Sequence, residues 1–141
     1  MQIHLKKGEK VYVNGAVIRA GHRCSLEFLN NVTFLLDSHV MQAEKAETPF
    51  KQIYFVVQAM LIDPDNAQVI CEIYWQLSGC LHSTLENAEL VRGLESSDAC
   101  IKNHRYFHAL KIICGLFEAE SNVLSVEAET HKQTSSQKEV A

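Results

Sequence analysis

Leu5-Lys6-Lys7-Gly8-Glu9-Lys10-Val11-Tyr12-Val13-Asn14-Gly15-Ala16-Val17-Ile18-Arg19 decides how the first third of this 141-residue chain folds. Asn14-Gly15 is the key dipeptide. Both residues tolerate the positive φ that a two-residue type I′ turn requires, and that turn matches the twist of the strands on either side. The turn sets the register: Val13 faces Ala16, Tyr12 faces Val17, Val11 faces Ile18 and Lys10 faces Arg19. Side chains alternate along a strand. Val11, Val13, Ala16 and Ile18 therefore share one face, and Lys10, Tyr12, Val17 and Arg19 share the other. Two like charges directly opposite one another destabilise a strand pair by a few tenths to about 1 kcal/mol. Such a pair either holds an anion or splays into water.

Charge is distributed unevenly along the chain. The formal net charge is −4, yet residues 1–23 hold five bases (Lys6, Lys7, Lys10, Arg19, Arg23) against Glu9, a net of +4. The remaining residues hold eight bases and sixteen acids, a net of −8. A basic end on an acidic protein is a place to look for a polyanionic partner. A hydrophobic fraction of 47% suits a globular protein with a real core. No apolar run reaches the length of a membrane span, and the first residues lack the apolar segment of a signal peptide. The five cysteines are odd in number and have no CxxC spacing, which predicts reduced thiols in a cytoplasmic protein.

Strands come first and helices follow. Ile3–Leu5 is an expected edge strand, with Lys6-Lys7-Gly8-Glu9 as its turn. A second hairpin is expected from Cys24–Leu29 and Val32–Leu36 around Asn30-Asn31. Both of its faces are largely apolar, which places it between two layers. Thr48-Pro49 opens a helix by N-cap and first-turn proline. Phe50, Ile53, Tyr54, Val57 and Leu61 then form one stripe, widened by Phe55, Val56 and Met60, as in a central core helix or one at a dimer interface. Asp63-Pro64 starts a second helix, with a break expected at Ser78-Gly79. Ser83-Thr84-Leu85-Glu86 matches a capping box and starts a third. A last helix is expected from near Cys100–Asn103 to about Leu124. From Ser125 onward large apolar residues nearly vanish, which predicts disorder. This order of elements gives an α+β fold: an N-terminal antiparallel β-hairpin module (1–45), a helical bundle packed on it (46–124) and a disordered C-terminal tail (125–141).

No enzyme motif is present. The chain has no P-loop, no GxGxxG and no HExxH. His104 and His108 have the i, i+4 spacing of two metal ligands but no third partner in the sequence, so no metal and no cofactor is expected.

The blocks Leu-Lys-Lys-Gly-Glu-Lys (5–10) and Val-Asn-Gly-Ala-Val-Ile-Arg (13–19) resemble the opening of FlbT proteins, small bacterial regulators of flagellum biogenesis. The resemblance continues through Leu26-Glu27-Phe28-Leu29-Asn30, Val32-Thr33-Phe34-Leu35-Leu36, Thr48-Pro49 and Gln52-Ile53-Tyr54-Phe55 with Gln58. It is dense over residues 3–62 and diffuse beyond. It implies a cytoplasmic, post-transcriptional repressor that associates with the 5′ untranslated region of flagellin mRNA and promotes its decay. Some relatives activate flagellin production instead, so the sign of regulation does not transfer. The residues themselves supply the candidate contacts: Lys6, Lys7, Lys10, Arg19 and Arg23 on phosphates, Tyr12 stacked on an unpaired base, and Asn14 or His22 on base edges. Five bases are few for one chain, which favours a homodimer presenting two such faces. The rival reading is an adaptor that binds flagellin or another flagellar regulator without touching RNA.

Overall fold

Asn14 and Gly15 have φ of +48° and +85°, the backbone of a type I′ turn. The computed structural model describes the backbone of residues 1–140 and the side chains of residues 1–128. In it, β1 (Gln2–Leu5), β2 (Lys10–Val13), β3 (Ala16–Arg19), β4 (Cys24–Glu27) and β5 (Phe34–Leu36) precede five helices. The β2–β3 hairpin has the register expected from its turn, with Lys10 opposite Arg19 and Val13 opposite Ala16.

The other pairings differ from expectation. β4 and β5 do not form a hairpin. β4 pairs antiparallel with β1, Leu5 opposite Cys24, while β5 pairs antiparallel with β2, Val13 opposite Phe34. Two sheets result, β1–β4 and β3–β2–β5. The turn at Lys6–Glu9 does form, closed by the Glu9 N–H on the Lys6 carbonyl at 3.0 Å. It hands the chain from one sheet to the other instead of joining neighbours. Turn residues mark where a chain reverses, whereas apolar surface on both faces of a short strand fits more than one partner.

Alternation along β2 and β5 makes the three-stranded sheet a middle layer. Val11, Val13, Phe34 and Leu36 face the two-stranded sheet, where they cluster with Ile3, Leu5, Ala20, Cys24, Leu26 and Phe28. Phe28 and Phe34 stack at 4.8 Å between centroids. Tyr12 and Leu35 point the other way and pack on the helices. Both faces of β5 are thus covered, as its composition demands.

Two short 3₁₀ turns, Asp37–His39 and Ala43–Lys45, lead to α1 (Pro49–Ile62). Thr48 is its N-cap, with Oγ1 accepting the Lys51 N–H at 3.3 Å. Phe50, Ile53 and Val57 are fully buried, so α1 is the central core helix. Three buried polar anchors hold it. The Tyr54 hydroxyl donates to the His39 carbonyl at 2.9 Å. The Gln58 amide clasps the Met41 backbone, Oε1 accepting its N–H at 2.6 Å and Nε2 donating to its carbonyl at 2.9 Å. Glu120 receives the Phe50 N–H at 2.8 Å and the Thr48 hydroxyl.

Pro64–Asn66 forms a 3₁₀ turn that feeds α2 (Ala67–Thr84). Helix α2 runs unbroken through Ser78-Gly79, where a break is expected from sequence. The capping box at Ser83 is not used either. The Ser83 hydroxyl donates to the Cys80 carbonyl at 2.6 Å, and α3 (Ala88–Lys102) takes Asn87 as its N-cap, with Oδ1 accepting the Leu90 N–H at 3.1 Å. The expected last helix is three pieces: the end of α3, then α4 (Tyr106–Cys114) and α5 (Phe117–Val140). Residues 125–128 continue α5 with exposed side chains. The rest of the segment expected to be disordered, 129–141, lies outside the residues whose side chains are described.

Ser78 is accommodated within α2 because its hydroxyl has a half-buried partner on α3. Asp98 Oδ1 accepts from Ser78 Oγ and from Tyr74 Oη, each at 2.7 Å, and Oδ2 meets His82 Nε2 at 2.7 Å. With the phenol proton given to Asp98, Ser97 Oγ donates to Tyr74 Oη at 2.8 Å. Tyr74, Ser78 and Ser97 are all buried. Removing the shared acceptor strands buried donors, at roughly 1–3 kcal/mol each. Asp98→Ala is therefore expected to cost about 2–4 kcal/mol in urea unfolding, with Glu95→Ala, exposed on the same helix, as the near-neutral control.

Burial raises the Tyr74 phenol well above its ordinary value of 10, and acceptance by Asp98 adds to the rise. The folded chain thus holds a proton that the unfolded chain releases. This contribution to stability is intact below about pH 10 and is lost as the pH climbs further. Unfolding midpoints measured from about pH 9 to 11 should fall, and the fall should be shallower in Tyr74→Phe.

Candidate functional site

The antiparallel registers gather the N-terminal cations at one end of the β module. Leu5, Lys10, Arg19 and Cys24 end or begin their strands there. The Gly8 N–H donates to the Ala20 carbonyl at 2.8 Å and the Ala20 N–H to the Glu9 carbonyl at 2.9 Å, so the Lys6–Glu9 turn abuts the Ala20–Arg23 loop. Lys6, Lys7, Arg19, His22 and Arg23 are exposed, and Lys10 is half-buried. None of these cations makes an ion pair or ring contact among the described residues, where His82–Asp98 is the one close contact between a basic and an acidic side chain. By contrast, Lys51, Lys102 and Lys111 on the helices lie over Phe117, Trp75 and Phe107. Two acids temper the patch. Glu9 Oε1 is occupied by the Lys6 backbone N–H at 3.0 Å. Asp37 follows Leu36, which stands opposite Val11, and so sits level with Lys10.

Tyr12 and Asn14 stand apart from this cluster. Tyr12 shares a sheet face with Lys10 and Arg19, but that face turns toward the helices, and its ring is half-buried against the helical core. It does not stand on the outer surface with the cations, and what it leaves open faces a cleft toward the helices. The edge strand β3 escapes the helices: all four of its residues are exposed, Val17 at 57%. Asn14 sits at the opposite end of β2 from Lys10, about 13 Å away at ~3.3 Å per residue. There the turn tip rests on the α1–α2 connection. A Cβ built on Gly15 would lie 3.3 Å from the Pro64 ring.

Beside that contact a cleft of about 360 Å³ opens between β module and helices. Tyr12 and Tyr106 contribute aromatic walls, Met60 and Pro64 apolar surface, and Asn14 and Asn31 amides. Burial raises the Tyr106 phenol, and Cys71 adds to this. In the sequence Asn31, Met60 and Pro64 read as turn, helix-stripe and helix-start residues, and only their meeting in space with Tyr106 marks them as a site.

No catalytic group is assembled among the described residues. Ser78 is buried and donates to Asp98 rather than to His82, so the Ser–Asp–His set lacks a nucleophile held by a base. No group of three His, Cys, Asp or Glu that could hold a metal occurs among the described residues. His104 and His108 do not share a helix face, because α4 begins at Tyr106 and His104 precedes it at φ +56°. The cysteines are free thiols, and among the described residues no helix is long and apolar enough to cross a membrane.

Fold and surface together define a small α+β protein with a cationic β end and an uncharged cleft. The chain belongs to the FlbT family: the family model described as flagellar protein FlbT matches residues 1–124. It is 42% identical over 125 residues to the probable flagellum biosynthesis repressor protein FlbT of Rhizobium leguminosarum bv. trifolii (strain WSM2304), covering 89% of this chain and 84% of that protein. It is 43% identical over 124 residues to the protein of the same name from Chelativorans sp. (strain BNC1), covering 88% and 86%. It is 40% identical over 125 residues to the probable flagellum biosynthesis repressor protein FlbT 2 of Bradyrhizobium diazoefficiens, covering 89% and 92%. No solved structure matches the chain.

The turn tip holds one wall of the cleft. Gly15→Ala places a side chain at positive φ and against Pro64, and is expected to cost about 1–2 kcal/mol. Gly21→Ala meets open space and should cost little. Thermal unfolding of the two variants checks the difference.

Proposed function

We propose that this chain is a cytoplasmic, post-transcriptional repressor of flagellum biosynthesis that binds the 5′ untranslated region of flagellin mRNA and promotes its decay. One observation carries the reading. An acidic chain keeps five cations without ion pairs among the described residues at one end of a small β module, as a polyanion contact requires. The relatives named as flagellum biosynthesis repressors support the regulatory half. Lys6, Lys7, Lys10, Arg19 and Arg23 contact phosphates, with His22 on the same rim. The cleavage chemistry belongs to a recruited nuclease, since the chain assembles none of its own among the described residues. Five phosphate contacts per chain give modest affinity, and a homodimer doubles them.

The second reading is an adaptor that binds flagellin or another flagellar regulator. It is favoured by the open edge of β3, where Val17 and Ile18 are 57% and 42% exposed. An exposed apolar edge strand is a template for pairing with another chain.

Binding of a flagellin leader RNA across a salt series separates the two. Each single-stranded phosphate contact contributes about −0.7 to the slope of log K against log salt. Lys10→Ala and Arg19→Ala should each weaken binding several-fold at low salt and reduce the slope by roughly that amount. Unchanged affinity and slope in both, with flagellin captured by the wild type, would establish the adaptor.

A further inference from the structure

We propose that the cleft between the β module and the helices takes a single unpaired adenine base of the RNA. This deepens the RNA-binding reading and rests on it. The volume of about 360 Å³ lies at the small end of ligand pockets, roughly 300–1,000 Å³. It admits one nucleoside and excludes a duplex. Tyr12 on β2 and Tyr106 at the start of α4 offer rings on which a splayed base stacks, the usual device for reading single-stranded RNA.

The rim selects the base. Each asparagine amide carries one acceptor and two donors, and the amides of Asn14 and Asn31 are exposed at the rim with no hydrogen-bond partner among the described residues. An asparagine amide pairs in bidentate fashion with the N6 and N7 atoms of adenine. In the major groove of a duplex, guanine is read chiefly by Arg or Lys and cytosine by Asp or Glu, and no charged residue lines the cleft.

The cleft is also held open in advance. Asn14 is fixed by the type I′ turn and stands level with Thr33, next in register after the Val13–Phe34 pair. The tip of that turn is braced on Pro64. A strand lying along β2 thus meets cations at Lys10 and an uncharged, aromatic slot at Asn14, about 13 Å on. Phosphate contacts at the basic end position the RNA, and the cleft reads sequence.

Two measurements test this. The first is NMR titration of the wild-type protein with adenosine monophosphate and, separately, cytidine monophosphate. Saturable shifts of the Asn14 and Asn31 side-chain amides with the adenine nucleotide alone are expected; equal shifts with both, or none, overturn the proposal. The second compares a flagellin leader with a version whose unpaired adenines are replaced by uracil. Wild type should prefer the native leader by about 5- to 150-fold, and Asn31→Ala should lose the preference while keeping the salt slope. A wild type that binds both leaders equally, with its salt slope intact, overturns the adenine pocket and leaves the basic end standing. Amide shifts with adenosine monophosphate in a protein whose Lys10→Ala and Arg19→Ala variants bind RNA unchanged uphold the pocket and remove the basic end.

Discussion

The fold depends on a middle layer whose two faces are both covered. β2 and β5 send Val11, Val13, Phe34 and Leu36 to one side and Tyr12 and Leu35 to the other. Slipping either strand by one residue would exchange the faces. The aromatic ring that fills the helical side would then be replaced by small valines, and both clusters would lose their fit. The type I′ turn prevents the slip in β2, and β5 inherits its register by pairing. The basic end, the cleft and the seat of α1 all follow from that alternation.

Sequence reveals the local part of this order. The hairpin register was legible because Asn14-Gly15 leaves one turn geometry open. Helix α1 was legible because Thr48-Pro49 is a cap with a built-in first turn. The partner of β4 was not legible. Its apolar residues suit either sheet, and the choice is made by loop connections that carry no periodic signal. Helix α2 passes Ser78-Gly79 for a similar reason. A half-buried carboxylate on α3 satisfies Ser78, and no window along one helix contains that partner.

The candidate site divides in the same way. Clustering of the bases was visible as composition, and the strand registers place them at one end. The position of Tyr12 was not visible, because alternation says which neighbours share its face and not which layer lies above. Asn31, Met60, Pro64 and Tyr106 come from four separate segments, so the cleft exists only once the layers have stacked.

The carboxylate of Glu120 closes on the first turn of α1, 70 residues earlier in the chain. On a ribosome adding about 5–20 residues per second, that partner emerges roughly 4–14 s after the helix it completes. Until then the opening amide of α1 must find water or a chaperone. The nascent polypeptide therefore stays immature at its centre until Glu120 has emerged, and a message cut short before that codon yields a product whose middle cannot close.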